Sequence, residues 1–133
     1  MNNCIFCSIV KGTAKSWKVY ETEDTYAFLD IHPASRYHTL VIPKKHYTNI
    51  FDIPEEELRA VITTVKKVVK LYEEKLGFRN IQIISNSGAE AQQEVFHLHF
   101  HIIPRKRGDG QNIRHRTHSE WVRDFDEMIE RIR

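Results

Sequence analysis

Between residues 97 and 104 the chain alternates imidazole and apolar side chains: His97, Leu98, His99, Phe100, His101, Ile102, Ile103, Pro104. Alternation is the period of a strand, so His97, His99 and His101 share one face while Leu98, Phe100 and Ile102 enter a core from the other. A second period governs residues 53 to 76. There Leu58, Val61, Ile62, Val65, Val68, Val69, Tyr72 and Leu76 recur at helical spacing and make one apolar face. Asp52 is expected to cap this helix with Glu55 as its capping-box partner, Pro54 fits the first turn, and Gly77 stops it.

Shorter apolar runs predict the rest. Ile5, Phe6, Ile9 and Val10 form a short amphipathic turn or helix closed by Gly12. Residues 18–21 and 25–30 read as two strands joined by a turn at Glu23 and Asp24. Residues 32–35 form a loop, Tyr37 to Ile42 a strand ended by Pro43, and Arg79 to Ser85 another strand. Asn86 to Gly88 is a turn, and Ala89 to Glu94 a polar loop leading into the histidine strand. After Arg105 the pattern changes: residues 106–110 read as a flexible basic loop. Ser119 is expected to cap a last helix whose apolar face is Trp121, Val122, Phe125, Met128, Ile129 and Ile132. These elements sum to an α+β domain with a mainly antiparallel sheet. No repeat or domain boundary is visible, so residues 1–133 read as a single domain.

Composition narrows the function classes. The chain has 133 residues, enough for one domain with one core, and a net charge of +2, too small to argue for a nucleic-acid partner. No apolar run reaches the ~18 residues of a membrane span. The stretch Met1 to Cys4 lacks the charged and apolar regions of a leader, so the cytoplasm is the expected compartment. Cys4 and Cys7 are too close to staple much structure. By itself a Cys-x-x-Cys is a redox pair, half a zinc site or two small buried residues.

The histidine row carries the candidate chemistry. Neighbouring same-face residues of a strand lie about 6.6 Å apart, so three imidazoles cannot easily converge on one ion, whose nitrogens sit at about 2.0–2.1 Å. At least one therefore has another task, and the row suits a nucleophile and proton donors spread along a polyphosphate.

His97 to Ile103 resembles the signature of the histidine-triad (HIT) family, in which three histidines alternate with apolar residues. Further pieces match in order: Phe28 to Ile31, His38 to His46, and Asn86 to Gly88. The resemblance covers residues 4 to 105; nothing after Arg105 takes part. It implies a HIT-like fold, with a mainly antiparallel five-stranded sheet, one long helix and a C-terminal helix. It implies a nucleotide hydrolase or transferase in which His99 attacks the α-phosphate and is transiently nucleotidylated. His97 would fix the His99 tautomer through its carbonyl, His101 would contact the phosphate or leaving group, and His38 would hydrogen-bond nearby. Asp30 would grip the ribose hydroxyls. Ile5, Phe6, Ile9, Phe28, Ile31 and Leu40 would wall the base, though each is equally a core residue. Asn86 and Gln93 would hold the phosphates. Some members carry a structural zinc, whose ligands would here be Cys4, Cys7, His46 and His97; no organic cofactor is implied. Members pair as two-fold dimers, which would place residues 58–76 and the strand after Gly77 near the contact.

Two departures stand out. Gln92 replaces a common glycine, and Glu94 replaces a common serine or threonine. If strand alternation reaches back to residue 94, its carboxylate points away from the phosphates and only its N–H faces them. The third triad position is His101 rather than glutamine, which favours the hydrolase branches over the uridylyltransferases. Hydrolysis of purine phosphoramidates or dinucleoside polyphosphates is the first expectation. A zinc hydrolase using the histidines as catalytic ligands and a nucleotide-binding adaptor with little turnover are the alternatives.

Overall fold

The computed structural model describes residues 3–112 and 114–133; Met1 and Asn2, part of the stretch read for a leader, lie outside the described residues, as does Ile113. The elements run α1 (Ile5–Lys11), β1 (Lys18–Glu21), β2 (Thr25–Leu29), β3 (Thr39–Pro43), α2 (Glu55–Leu76), β4 (Ile81–Ile84) and β5 (Phe100–Pro104), followed by a 3-10 turn Ser119–Asp124 and α3 (Phe125–Arg131). The strands form one five-stranded sheet in the order β1-β2-β3-β5-β4. Every neighbouring pair is antiparallel.

Period-two alternation gives the sheet two apolar faces. One carries Ala27, Val41, Leu98 and Ile102 and packs on Val61, Val65, Val68 and Tyr72 of α2. The other carries Phe28, Leu40 and Ile42 and packs on Phe6 and Ile9 of α1. His101 pairs with Leu40 in the ladder, which puts it on the α1 face. The histidines thus line the side covered by a short helix. The long helix closes the opposite side and leaves this one room for a cleft.

Several boundaries differ from the sequence pattern. The ladder of β5 begins only at Phe100. Leu98 N–H instead donates to the Tyr47 carbonyl at 2.7 Å, and Ser85 Oγ donates to the His99 carbonyl at 2.9 Å. The segment is therefore pulled from β3 toward a neighbouring loop, although its side chains still alternate. β3 starts at Thr39 and includes Pro43, which needs no N–H at the strand end. Asp52 does not cap α2. Its carboxylate accepts from Thr48 N–H (3.0 Å) and Asn49 N–H (2.9 Å), closing the loop before the helix. Pro54 occupies the N-cap with no side-chain bond. Gly77 ends α2 at φ 72°, a left-handed conformation costly for residues with a Cβ, and its N–H returns to the Glu73 carbonyl.

The apolar face of α2 is spent on its own sheet. Only Ile62 and Leu76 on the helix, and Ile83 on β4, remain exposed. The loop after β5 is not slack: the Asp109 carboxylate accepts from Arg105 Nε at 2.7 Å and Nη2 at 2.9 Å, because a planar guanidinium matches a carboxylate at two points. Ser119 does not cap the last helix. A 3-10 turn follows His118, and α3 starts at Phe125. Trp121, Val122, Phe125, Met128, Ile129 and Ile132 are all exposed there. No helix among the described residues is long and apolar enough to cross a membrane.

Leu98 is 1% exposed and stands on the α2 face, opposite the cleft. Leu98→Ala should cost about 2–5 kcal/mol of stability in urea denaturation, the range for emptying a closed core site. A loss below about 1 kcal/mol would show that this side chain is not held in the core.

Candidate functional site

His97 is fully buried and faces three ways. Its Nε2 lies 2.8 Å from the Pro43 carbonyl. A carbonyl only accepts, so Nε2 carries the proton and Nδ1 keeps a lone pair. That lone pair lies 3.4 Å from Cys4 Sγ and 3.6 Å from Cys7 Sγ. Cys7 Sγ is in turn 3.4 Å from His46 Nδ1. Cys4 also caps α1, accepting from Cys7 N–H at 3.4 Å, so the first turn of that helix brings both sulfurs to one point.

This group passes a geometric test for a tetrahedral ion. With Zn–N at about 2.0–2.1 Å and Zn–S at about 2.3 Å, sulfur and nitrogen ligands stand about 3.5 Å apart. The chemistry agrees: an imidazole lone pair aimed at two sulfurs is best satisfied by a cation between them. Burial pushes the His97 pKa down to about 4, and burial weighs more than the Pro43 bond, so the ring is neutral and able to ligate. Cys4, Cys7, His46 and His97 could therefore hold one divalent ion. Four protein ligands would leave no open position, the arrangement of a structural site.

The His97 backbone serves the next residue. Its carbonyl accepts from His99 Nδ1 at 2.7 Å, so Nδ1 holds the proton and Nε2 is the bare nitrogen. Burial lowers the His99 pKa, outweighing the His97 bond and the Asp30 charge that act the other way. Neutral His99 is thus an imidazole with one lone pair, which is what a nucleophile requires. Phe6 holds its ring edge-on, with centroids 5.2 Å apart.

A second chain sets His101. Ala34 N–H donates to His38 Nδ1 at 2.9 Å. A backbone N–H only donates, so His38 is neutral with its proton on Nε2. Burial lowers its pKa, against the pull of Asp30. His38 Nε2 lies 2.9 Å from His101 Nδ1 and donates to it. Burial pushes the His101 pKa down to about 4. Neutral His101 therefore carries its proton on Nε2. Asp30 Oδ2 stands 3.4 Å from His38 Nε2, and Asp30 Oδ1 accepts from His32 N–H at 2.8 Å. Asp30, His38 and His101 are close enough together to suggest a second ion. The tautomer argues against it, because His38 Nε2 has a hydrogen where an ion would need a lone pair.

His99 and His101 open into a cleft of about 1000 Å³. Phe6, Ile9, Phe28 and Leu40 are buried core residues whose edges form its floor, while Ile5 and Ile31 are exposed at its lip. Asp30, Asn86, Gln92, Gln93 and Glu94 are among the other residues that line it. Gln93 is built into the loop itself. Its amide donates to the Thr48 and Val95 carbonyls at 2.7 and 3.1 Å, and its oxygen accepts from Gly88 N–H and Asn49 Nδ2 at 2.9 and 3.1 Å. Both its N–H groups are thus committed to holding the loop rather than turned to a ligand. Glu94 is exposed in irregular backbone. Alternation does not reach it, since the ladder starts at Phe100, and the expectation drawn from alternation loses its basis.

Residues 11–108 match the HIT domain family model. The chain belongs to the HIT family. It is 45% identical over 130 residues to an uncharacterized HIT-like protein of Methanocaldococcus jannaschii, covering 98% of both chains. It is 42% identical over 110 residues to the adenosine 5'-monophosphoramidase of Candida albicans, covering 78% of this chain and 71% of that one. The crystal structure of a zinc-bound histidine triad family protein from Mycobacterium smegmatis superposes with a TM-score of 0.78 at 33% identity, covering 98% of each chain. The five-stranded HIT fold is thus the architecture expected from the triad.

Sequence reasoning named the side chains and missed the groups that aim them. The Pro43 carbonyl, the Ala34 N–H, the Tyr47 carbonyl and the Ser85 hydroxyl set the geometry, and three of these four are backbone. Protein folded with zinc present is expected to hold about one ion per chain. Cys4→Ala should lower thermal stability more than it lowers the rate constant of any chemistry in the cleft. Metal analysis finding none, with the thiols reduced, would reject the site.

Proposed function

We propose that this HIT protein hydrolyses nucleotide conjugates at the α-phosphate through a nucleotidyl-His99 intermediate. The observation that carries the proposal is the His99 tautomer: Nδ1–H is tied to the His97 carbonyl at 2.7 Å and the Nε2 lone pair is left for attack. The phosphoramidase activity in the name of the yeast relative is the coarser support.

The base would lie on the apolar floor and the ribose hydroxyls against Asp30. His99 Nε2 forms the N–P bond as the bond to the leaving group breaks. The electron pair departs with the leaving group, which takes its proton from water. His101 Nε2–H hydrogen-bonds the leaving atom and steadies its charge. Water then attacks phosphorus, the pair returns to His99, and the surplus proton goes to solvent. The products are a nucleoside monophosphate and the protonated leaving group. Neutral donors suit this task because they need no change of charge state as the reaction proceeds. Purine phosphoramidates and dinucleoside polyphosphates are the substrate classes we favour. A structural zinc held by Cys4, Cys7, His46 and His97 would tie α1 to the histidine segment. The alternative of histidines as catalytic zinc ligands is disfavoured by the protonated Nε2 of His38.

His99→Ala should fold and bind nucleotide yet lose about 10³-fold or more in kcat, with no labelled nucleotide trapped on the protein after acid quench. Turnover within about tenfold of the unaltered protein would sink the mechanism.

We also propose a two-fold dimer, the commonest closed assembly. Its support is the open edge of β4 together with exposed Ile62, Leu76 and Ile83. Light scattering at micromolar concentration should give twice the chain mass; a 15.8 kDa particle would count against it.

A further inference from the structure

The loop after β5 is built more firmly than a surface connection requires. Arg105 is fixed at the sheet edge by Nη1 donating to Gln82 Oε1 at 2.6 Å. Its Nε and Nη2 grip Asp109, and both side chains are largely covered, at 19% and 12% exposure. The same carboxylate accepts from Lys106 N–H at 3.2 Å and Gln111 N–H at 3.0 Å. Arg105 holds it well below the usual carboxylate range, so the clamp is charged at neutral pH. The clamp places Gln111, whose Nε2 donates to the Ala34 carbonyl at 3.3 Å. Ala34 is the residue whose N–H selects the His38 tautomer.

We propose that the loop clamped by Arg105 and Asp109 is a positioning device for His101. Through Gln111 it holds Ala34 in place, the Ala34 N–H keeps the proton of His38 on Nε2, and His38 keeps the proton of His101 on the nitrogen that can face the leaving group. The inference rests on the hydrolase reading only for its kinetic consequence. If Ala34 moves away, His38 loses the donor that faces its Nδ1, and only the Asp30 carboxylate, 3.4 Å from Nε2, still favours the proton there. With the proton on His38 Nδ1, its Nε2 would accept from His101 Nδ1–H, and His101 Nε2 would become a bare lone pair. A donor to the leaving atom would then be an acceptor that repels it. Arg105, Asp109, Gln111 and Ala34 touch no substrate in this account; they act through His101.

The consequence depends on the leaving group. An unactivated amine needs the hydrogen bond, whereas a nitrophenolate departs with its charge already delocalised. Gln111→Glu removes the side-chain donor at constant size, Asp109→Asn weakens the clamp, and Ala34→Pro deletes the N–H outright. Each variant, checked for folding by circular dichroism, is assayed on an adenosine phosphoramidate of a simple amine and on a nitrophenyl ester of AMP. Nitrogen NMR on isotope-labelled histidines reads which ring nitrogen of His38 and His101 holds the proton. For Gln111→Glu and Ala34→Pro we expect kcat on the amine substrate to fall about tenfold or more, as for loss of a hydrogen bond to developing charge, and kcat on the ester to fall less than about twofold. The spectra should show the His101 proton moving from Nε2 toward Nδ1. Parallel loss on both substrates, or unchanged tautomers in all three variants, would overturn the proposal. The spectra decide the coupling even if the unaltered protein turns over neither substrate, an outcome that would reject the hydrolase reading alone.

Discussion

His97 joins three parts of the molecule through three separate atoms. Nε2–H is tied to the end of β3 at the Pro43 carbonyl, the backbone carbonyl is tied to His99, and Nδ1 reaches the sulfurs that begin α1. The first bond decides which ring nitrogen can meet the sulfurs. With the proton on Nε2, Nδ1 is free to ligate and the ring has no reason to turn toward the cleft. Independently, the backbone carbonyl accepts from His99 Nδ1 and fixes where that ring's lone pair lies. A buried imidazole with an unpaired nitrogen would cost on the order of 1–3 kcal/mol. Here each nitrogen and the carbonyl has a partner, and among the described residues no buried side-chain polar atom lacks one.

The cleft histidines obey the same logic. Each ring is neutral because it is buried, and each neutral ring is given a direction by a group of fixed polarity. The His97 carbonyl can only accept, so it orients His99; the Ala34 N–H can only donate, so it orients His38 and, through it, His101. Two opposite rules thus leave a lone pair on the attacking ring and a proton on its neighbour. The rings of His99 and His101 are 5.0 Å apart, near enough to serve one phosphate. Had either partner been a hydroxyl, which both donates and accepts, the assignment would be lost.

Burial on the far side of the sheet supports this precision. Leu98 and Ile102 anchor alternate positions of the histidine segment against α2, so His97, His99 and His101 are held from behind. The segment from 97 to 99 gives up ladder bonds to β3 and gains Tyr47 and Ser85 as partners instead. In the same stretch the His97 carbonyl accepts from His99 Nδ1.

The alternation of 97–104 and the 3.6 period of α2 were legible along the chain because they are local. Each is a repeat of side-chain type that the backbone geometry imposes. They determined the faces of the sheet and the long helix, and with the triad resemblance they singled out His38, His99 and His101. What lay outside local pattern was settled by contacts across the fold. Asp52 had the composition of a helix cap, yet its carboxylate closed a loop on Thr48 and Asn49. Gln93 matched a position that the family resemblance gives to the phosphates, yet its amide joined Thr48, Val95, Gly88 and Asn49. A side chain's chemistry states which bonds it can make. Which bonds it does make depends on the donors and acceptors brought beside it, and at this site those are mostly backbone groups, present at every residue and therefore silent in the sequence.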